Sequence, residues 1–324
     1  MQLDNLNIIS ATVDLGTTSI TSAYQKLLNP QNVFCMSDGV RVGGINTLLT
    51  PSRLLWQWEK NATNTLFIFN TPTLIGGYLP KLQGCKRAAI IDWTANHPIA
   101  KGKSFKPLYD KIYRKAFANL DSIATPLPGL AKAYTDSRYQ FKHTYYPLPY
   151  PELRPSPKLI ESKIQLLFIG ADYKRKGGDL LLNEWAKMRP KDTELTFVCP
   201  NPPIEKMDGV TFLKDIQAGT SEHQALLEEH DILILPSHTE PFGYALLEAI
   251  NFGMATATTQ QTGAAKIVEE SGGIVGANSI ETIQKTFILC NQPEVIRQIS
   301  KQSCEFLEPY NQKVKQSIYD LFNK

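Results

Sequence analysis

Short apolar runs recur along the chain, each separated from the next by a longer amphipathic stretch. In the first half they are LNIISA (6–11), NVFCM (32–36), TLFIF (65–69), RAAIIDW (87–93) and SIATP (122–126). In the second half they are IQLLFIG (164–170), LTFVCP (195–200), VTFL (210–213), DILILPS (231–237), ATATT (255–259) and GGIVG (272–276). Most are rich in Ile, Val, Leu and Phe and close on Gly, Pro, Asn or Asp. Strands of a parallel sheet, buried on both faces, read this way. Between them lie helix-length stretches such as TPSRLLWQWEKN, LYDKIYRKAFANL, DLLLNEWAKM and SEHQALLEEH. The alternation predicts repeated β-α units and a doubly wound α/β fold.

One segment breaks the rhythm. YYPLPYPELRPSPK (145–158) holds five prolines, each fixing φ and removing a donor. It reads as a stiff linker between two α/β domains of similar size, with a ligand cleft expected between them. The expected divisions are 1–150, 151–308 and a terminal amphipathic helix over 309–324, packing back on the first domain. The length of 324 residues agrees, since about 150 residues per domain is the usual scale.

Composition narrows the class. With 42% hydrophobic and 20% charged residues the chain is neither disordered, collagenous nor coiled coil. No apolar run approaches the roughly 18 residues of a spanning helix, and the start lacks the basic and apolar regions of a secretory signal. Five scattered cysteines form no C-x-x-C pair, so a reducing cytoplasm is expected, with no zinc cluster. The net charge of +3 is uneven: residues 1–150 carry 16 Lys and Arg against 8 Asp and Glu, and the remainder 18 against 23. A basic first half suits an anionic partner or is simply solvated surface. Its most basic stretch, KGKSFKPLYDKIYRKAFANL (101–120), mixes six cations with aromatic and aliphatic residues. It fits either a helix over 101–117 lying on anionic lipid at the inner membrane face or a helix packed on its own sheet. No basic-aromatic motif for nucleic acid is present.

Two stretches carry candidate chemistry. DILILPSHTEPFGYALLEAINFGMA (231–255) reads as a strand, a polar turn and a helix. That edge of an α/β domain is where ligands bind, and the first amides of the helix favour an anion. Gly243 would let a ligand approach the backbone. Glu240 lies in the turn and Glu248 in the second helical turn, and two carboxylates suit the vicinal hydroxyls of a ribose or hexose. Glu248 also sits in an apolar run, ALLEAI, unlike an ordinary surface glutamate. The second stretch, LLFIGADYKRKGGDLLLNEWAKM (166–188), repeats the pattern. Its strand ends at Gly170, and Lys174, Arg175 and Lys176 precede Gly177 and Gly178. A guanidinium fork and a mobile ammonium together would neutralise a diphosphate. Neither a G-x-G-x-x-G fingerprint nor a P-loop occurs.

The pairing of FIGADYKRKGGD with EPFGYALLEA, followed by TTQQTGAAKIVEESGGIVG, resembles the family 4 retaining glycosyltransferases, which have the GT-B fold. The resemblance covers residues 163–276. It implies an α/β protein of two Rossmann-like domains facing across a cleft. It also implies that Glu240 contacts the donor sugar hydroxyls, Glu248 holds the ribose, and Arg175 and Lys176 bind the diphosphate. The backbone at Phe242, Gly243 and Tyr244 would cap sugar and phosphates, with Gly170, Thr262 and Gly263 on the donor side. Where the family has Gly-Gly and an acidic residue, this chain has Gly263, Ala264 and Lys266. VTFL (210–213) falls where the family's nucleotide base stacks and offers no diagnostic side chain.

The first half matches poorly. Its candidates are Asp14-Leu15-Gly16-Thr17, Arg41-Val42-Gly43-Gly44 and, at the end of AAIIDWT, Asp92 with His97 beyond it. Asp92 would contact the donor sugar, steer the acceptor hydroxyl or merely cap the next segment. The resemblance implies a metal-independent hexosyltransferase with no cofactor. It would take a nucleotide-diphosphate sugar and a glycan or lipid-linked acceptor, in polysaccharide or glycolipid synthesis. Catalysis would fall on Glu240, Lys176, Arg175 and Asp92. The alternatives are an inverting enzyme or epimerase, and a nucleotide-sugar-binding protein without transferase activity.

Overall fold

The computed structural model describes residues 6–10, 15–35, 64–68, 84–91, 115–127, 141–149, 153–160, 163–201, 207–214 and 216–323. The chain divides into two compact units, Met1–Pro147 with Asn311–Lys324, and Leu148–Tyr310. The first boundary falls inside the proline-rich segment. Its two parts are held within their own units: Tyr24 Oη donates to Tyr145 O at 2.9 Å in the first, and in the second Asn251 Nδ2 donates to Pro149 O and Lys158 donates its backbone N–H to Ser300 Oγ at 2.7 Å.

The described part of the first unit holds β1 (Leu6–Ser10), α1 (Leu15–Leu28), β2 (Asn32–Cys35), β3 (Asn64–Ile68), β4 (Lys86–Ile90), β5 (Ser122–Thr125) and β6 (Phe141–His143). The strands form one parallel sheet in the order β2-β1-β3-β4-β5-β6. Ile8, Ile9, Leu66, Phe67, Ile68, Ala88 and Ala89 are wholly buried in it, as continuous apolar runs require. The chain order reverses between β1 and β3, and the loops after both strands lie outside the described residues. So do Asp14, Arg41, Asp92, His97 and residues 101–114.

The second unit holds β7 (Ile164–Ile169), α2 (Gly178–Met188), β8 (Thr193–Val198), β9 (Val210–Leu213), α3 (Ser221–Glu229), β10 (Ile232–Leu235), α4 (Tyr244–Asn251), β11 (Ala255–Thr259), α5 (Ala265–Glu270), β12 (Ile274–Gly276) and α6 (Ser279–Leu289). Its sheet is parallel throughout, in the order β12-β11-β10-β7-β8-β9. The chain starts at the centre, runs outward through β8 and β9, then crosses back to β10 on the other side of β7. That is the doubly wound order of a Rossmann-like domain. All four residues of β10 and Leu166, Leu167 and Phe168 of β7 have no exposed surface. Asp231 sets the entry to β10, its Oδ2 accepting the Gln165 N–H at 2.8 Å. Trp185 of α2 meets Phe287 of α6 edge to face, with ring centroids 5.9 Å apart.

The α/β expectation and the strand assignments hold across the described residues. Two elements differ. The terminal helix does not begin near residue 309: α7 is one helix over Pro293–Phe322, with Pro309 inside it. Its last turns hydrogen-bond β6 and its continuation, Lys142 Nζ reaching Asp320 O at 3.0 Å and Thr144 Oγ1 lying 3.0 Å from Ser317 Oγ. Strand β6, beside the prolines, carries no apolar run to announce it. Among the described residues no helix is long and apolar enough to cross a membrane.

Candidate functional site

The site follows from the sheet order. β7 and β10 are neighbours whose connections leave in opposite directions, and the crevice beyond their carboxyl ends is where such domains bind ligands. Ile232 pairs with Leu166 and Leu233 with Leu167, so both strands end at the same level and release loops 170–177 and 236–243 side by side. These loops lock together. His238 donates its backbone N–H to Arg175 O at 3.0 Å, and Arg175 Nη1 donates to Thr239 O at 2.9 Å. The loop after β11 joins them through a parallel bridge between Glu240 and Thr262. There the Gly263 N–H reaches Glu240 O at 3.1 Å and the Ala264 N–H reaches Phe242 O at 2.8 Å. A Cβ on Gly263 would sit 2.0 Å from Pro241 O, so only glycine permits this approach.

The side chains converge in the same place. Arg175 Nη1 lies 3.1 Å and Lys176 Nζ 3.6 Å from Glu240 Oε2, and Asp172 Oδ2 accepts from Arg175 Nε at 3.0 Å. Two cations and a carboxylate thus share the mouth of the crevice. Glu248 lies deeper. Burial pushes its carboxyl up to about 8, with Lys176 opposing the shift. Its Oε2 is 3.6 Å from His223 Nε2 of α3. Ser237, just past β10, keeps a buried hydroxyl without a hydrogen-bond partner.

The helices that start here are uncapped. Gly177 and Gly243 are the residues before α2 and α4, both left-handed, and neither helix has a side-chain cap. At Gly243 φ is +87°, a conformation glycine adopts without strain. The first turn of α4 thus has no side-chain cap, and the start of a helix is where anions are favoured. Elsewhere in the unit Thr220 caps α3 and Asn278 caps α6.

The structure therefore brings together Arg175, Lys176, Glu240, Gly243, Thr262 and Gly263, with Gly170 ending β7 and Tyr244 starting α4. Phe242 is buried beneath the loop. Glu248 joins them through the field of Lys176. Phe212 of VTFL stacks on Phe197, with centroids 5.2 Å apart. Sequence reasoning missed His223, whose stretch reads as an ordinary amphipathic helix, and Thr239, which contributes only its carbonyl. Asp92 lies outside the described residues. Among those residues, no group of three or more His, Cys, Asp or Glu could hold a metal.

The segment 163–290 matches the family model described as Glycosyl transferases group 1. That segment contains all three loops of the site. Among solved structures, the chain resembles a sucrose-phosphate synthase from Thermosynechococcus elongatus, with a TM-score of 0.70, 14% identity and 98% of each chain covered. It resembles Anabaena Alr3699/HepE, in complex with UDP and glucose, with a TM-score of 0.70 and 13% identity over 98% of this chain and 99% of that one. It also resembles WaaG, a glycosyltransferase involved in lipopolysaccharide biosynthesis, with a TM-score of 0.60 and 15% identity over 98% of this chain and 100% of that one. No curated protein matches the sequence. These likenesses identify the two parallel α/β sheets as the GT-B fold.

Proposed function

We propose that this protein is a retaining glycosyltransferase. It moves a hexose from a nucleotide-diphosphate sugar to a hydroxyl of a glycan or lipid-linked acceptor, in the synthesis of cell-surface polysaccharide or glycolipid. The observation that carries the reading is the meeting of Arg175, Lys176, Glu240 and Glu248 with an uncapped helix at one switch point. The family match over this segment supports it.

In this reading the pyrophosphate lies between the Arg175-Lys176 pair and the first turn of α4. Glu240 is already held by both cations, so an incoming diphosphate shares that charge and turns the carboxylate toward the sugar hydroxyls. Glu248 receives the ribose diol. As the glycosidic bond breaks, the anomeric carbon becomes oxocarbenium-like and negative charge builds on the departing diphosphate. Arg175, Lys176 and the helix dipole stabilise it where it develops. The acceptor hydroxyl attacks from the same face, its oxygen bonding to the anomeric carbon and its proton passing to the leaving phosphate oxygen. No second carboxylate is needed to activate water, unlike in a glycosidase. Asp92 steers the acceptor hydroxyl or touches the donor sugar, and the basic stretch 101–117 docks the enzyme on anionic lipid at the cytoplasmic face.

A panel of UDP-, GDP- and ADP-sugars, scored by thermal shift and by slow donor hydrolysis, tests this reading without knowledge of the acceptor. One nucleotide series should raise the melting temperature and release sugar with retained configuration. Inverted sugar would overturn retention, and no response to any series would overturn the donor assignment.

A further inference from the structure

His223 and Glu248 face one another inside the second unit, their side chains only 2% and 6% exposed. Burial lowers the imidazole below its usual range, so at neutral pH the ring carries a single proton. The Gly219 backbone N–H points at His223 Nδ1 from 3.4 Å. Nδ1 is then the acceptor, and the proton sits on Nε2. That nitrogen is the one 3.6 Å from Glu248 Oε2, a few tenths of an ångström beyond hydrogen-bonding distance. Thr220 Oγ1 accepts the His223 backbone N–H at 3.3 Å, capping α3 and fixing the main chain that carries the ring. Glu248 thus has an ammonium, Lys176, acting on it from the loop after β7 and an oriented N–H facing it from α3.

We propose that His223 is a positioning residue for the donor site: its Nε2–H engages one oxygen of Glu248 and holds the carboxylate turned so that the other meets the ribose diol. The proposal rests on the ribose reading of Glu248 given above. Burial favours the neutral acid of Glu248, so the ionised form that accepts both ribose hydroxyls is reached on ligand binding only if its charge is met. Lys176 is shared with Glu240 and the pyrophosphate, which leaves the imidazole N–H as the partner committed to Glu248.

Methionine and glutamine have nearly the same shape, but only glutamine carries an N–H donor able to reach Glu248. The test is calorimetry with UDP, GDP or ADP, whichever binds wild type most tightly, alongside its 2′-deoxy form and inorganic pyrophosphate. His223→Met should weaken the ribonucleotide about tenfold, the worth of one hydrogen bond to a charged group. His223→Gln should stay near wild type. With the 2′-deoxy nucleotide the gap between His223→Met and wild type should close, and pyrophosphate should bind all forms alike. His223→Asn, whose amide is too short to reach Glu248, should behave as His223→Met does and replaces it if methionine lowers the melting temperature. Wild-type ribonucleotide affinity in the donorless variants would overturn the proposal, as would equal losses for both nucleotides or failure of glutamine to rescue. Glu248→Ala separates the two ideas. If it also binds normally, the ribose reading has failed; if it loses binding while His223→Met does not, only the role of His223 has.

Discussion

The second unit begins its helices in two ways. After the outermost strands, β9 and β12, the helices are closed by Thr220 and Asn278. After the three adjacent inner strands, β7, β10 and β11, they begin at Gly177, Gly243 and Ala264 with no side-chain cap. A cap is worth about 1 kcal/mol, so the inner rim forgoes stability that the outer rim keeps. The inner rim also concentrates its ionisable groups, with Arg175, Lys176 and Glu240 in contact and a buried carboxyl below them. On the proposed function, the difference separates a rim that receives an anionic donor from one shaped only for folding.

The largest expected effect comes from that buried carboxyl. Its value of about 8 in the folded protein exceeds the ordinary 4.5, so its contribution to stability is whole below pH 4.5 and is lost as pH rises through 8. The loss approaches about 5 kcal/mol. Glu248→Gln should therefore melt with wild type at pH 4.5 and well above it at pH 9, as pH-dependent calorimetry would record. Next is Lys176→Ala, which should slow transfer about 10²- to 10³-fold and weaken donor binding much less. Removing an outer cation, such as Lys285 of α6, whose Nζ lies 2.7 Å from Glu281 Oε1, by Lys285→Ala should leave both unchanged. Gly263→Ala forces a Cβ against Pro241 O and should cost about 1–3 kcal/mol, with donor affinity falling alongside in a binding titration. The smallest effects belong to the outer rim: Thr220→Ala and Asn278→Ala should each lower stability by about 1 kcal/mol and leave nucleotide affinity intact. Equal effects of outer and inner substitutions on binding would dissolve the comparison.

Much of this was legible in the residues. The strands announce themselves because a parallel sheet buries both faces, and strand-loop-helix order marks the ligand rim. Glu240, Glu248, Arg175 and Lys176 are legible as charges in those loops and the helix that follows, and the structure gathers Arg175, Lys176 and Glu240 together. The ion pair between Arg175 and Glu240 joins loops far apart in sequence, and only the crossover from β9 to β10 makes them neighbours. His223 was hidden because a helix sequence does not say which charged group waits beneath its buried face. The sequence suggests a terminal helix over 309–324, but α7 begins at Pro293 and continues through Pro309, its later turns bonding to β6 and the residue after it.

The most direct test is to titrate wild type, Glu248→Ala and the double variant Arg175→Ala/Lys176→Ala with the nucleoside diphosphate that shifts the melting temperature most. Losses of about a hundredfold or more in both variants, with folds intact by circular dichroism, are what a pyrophosphate and ribose clamp at the β7–β10 crevice predicts. Wild-type affinity in either would mean that the nucleotide is held somewhere else.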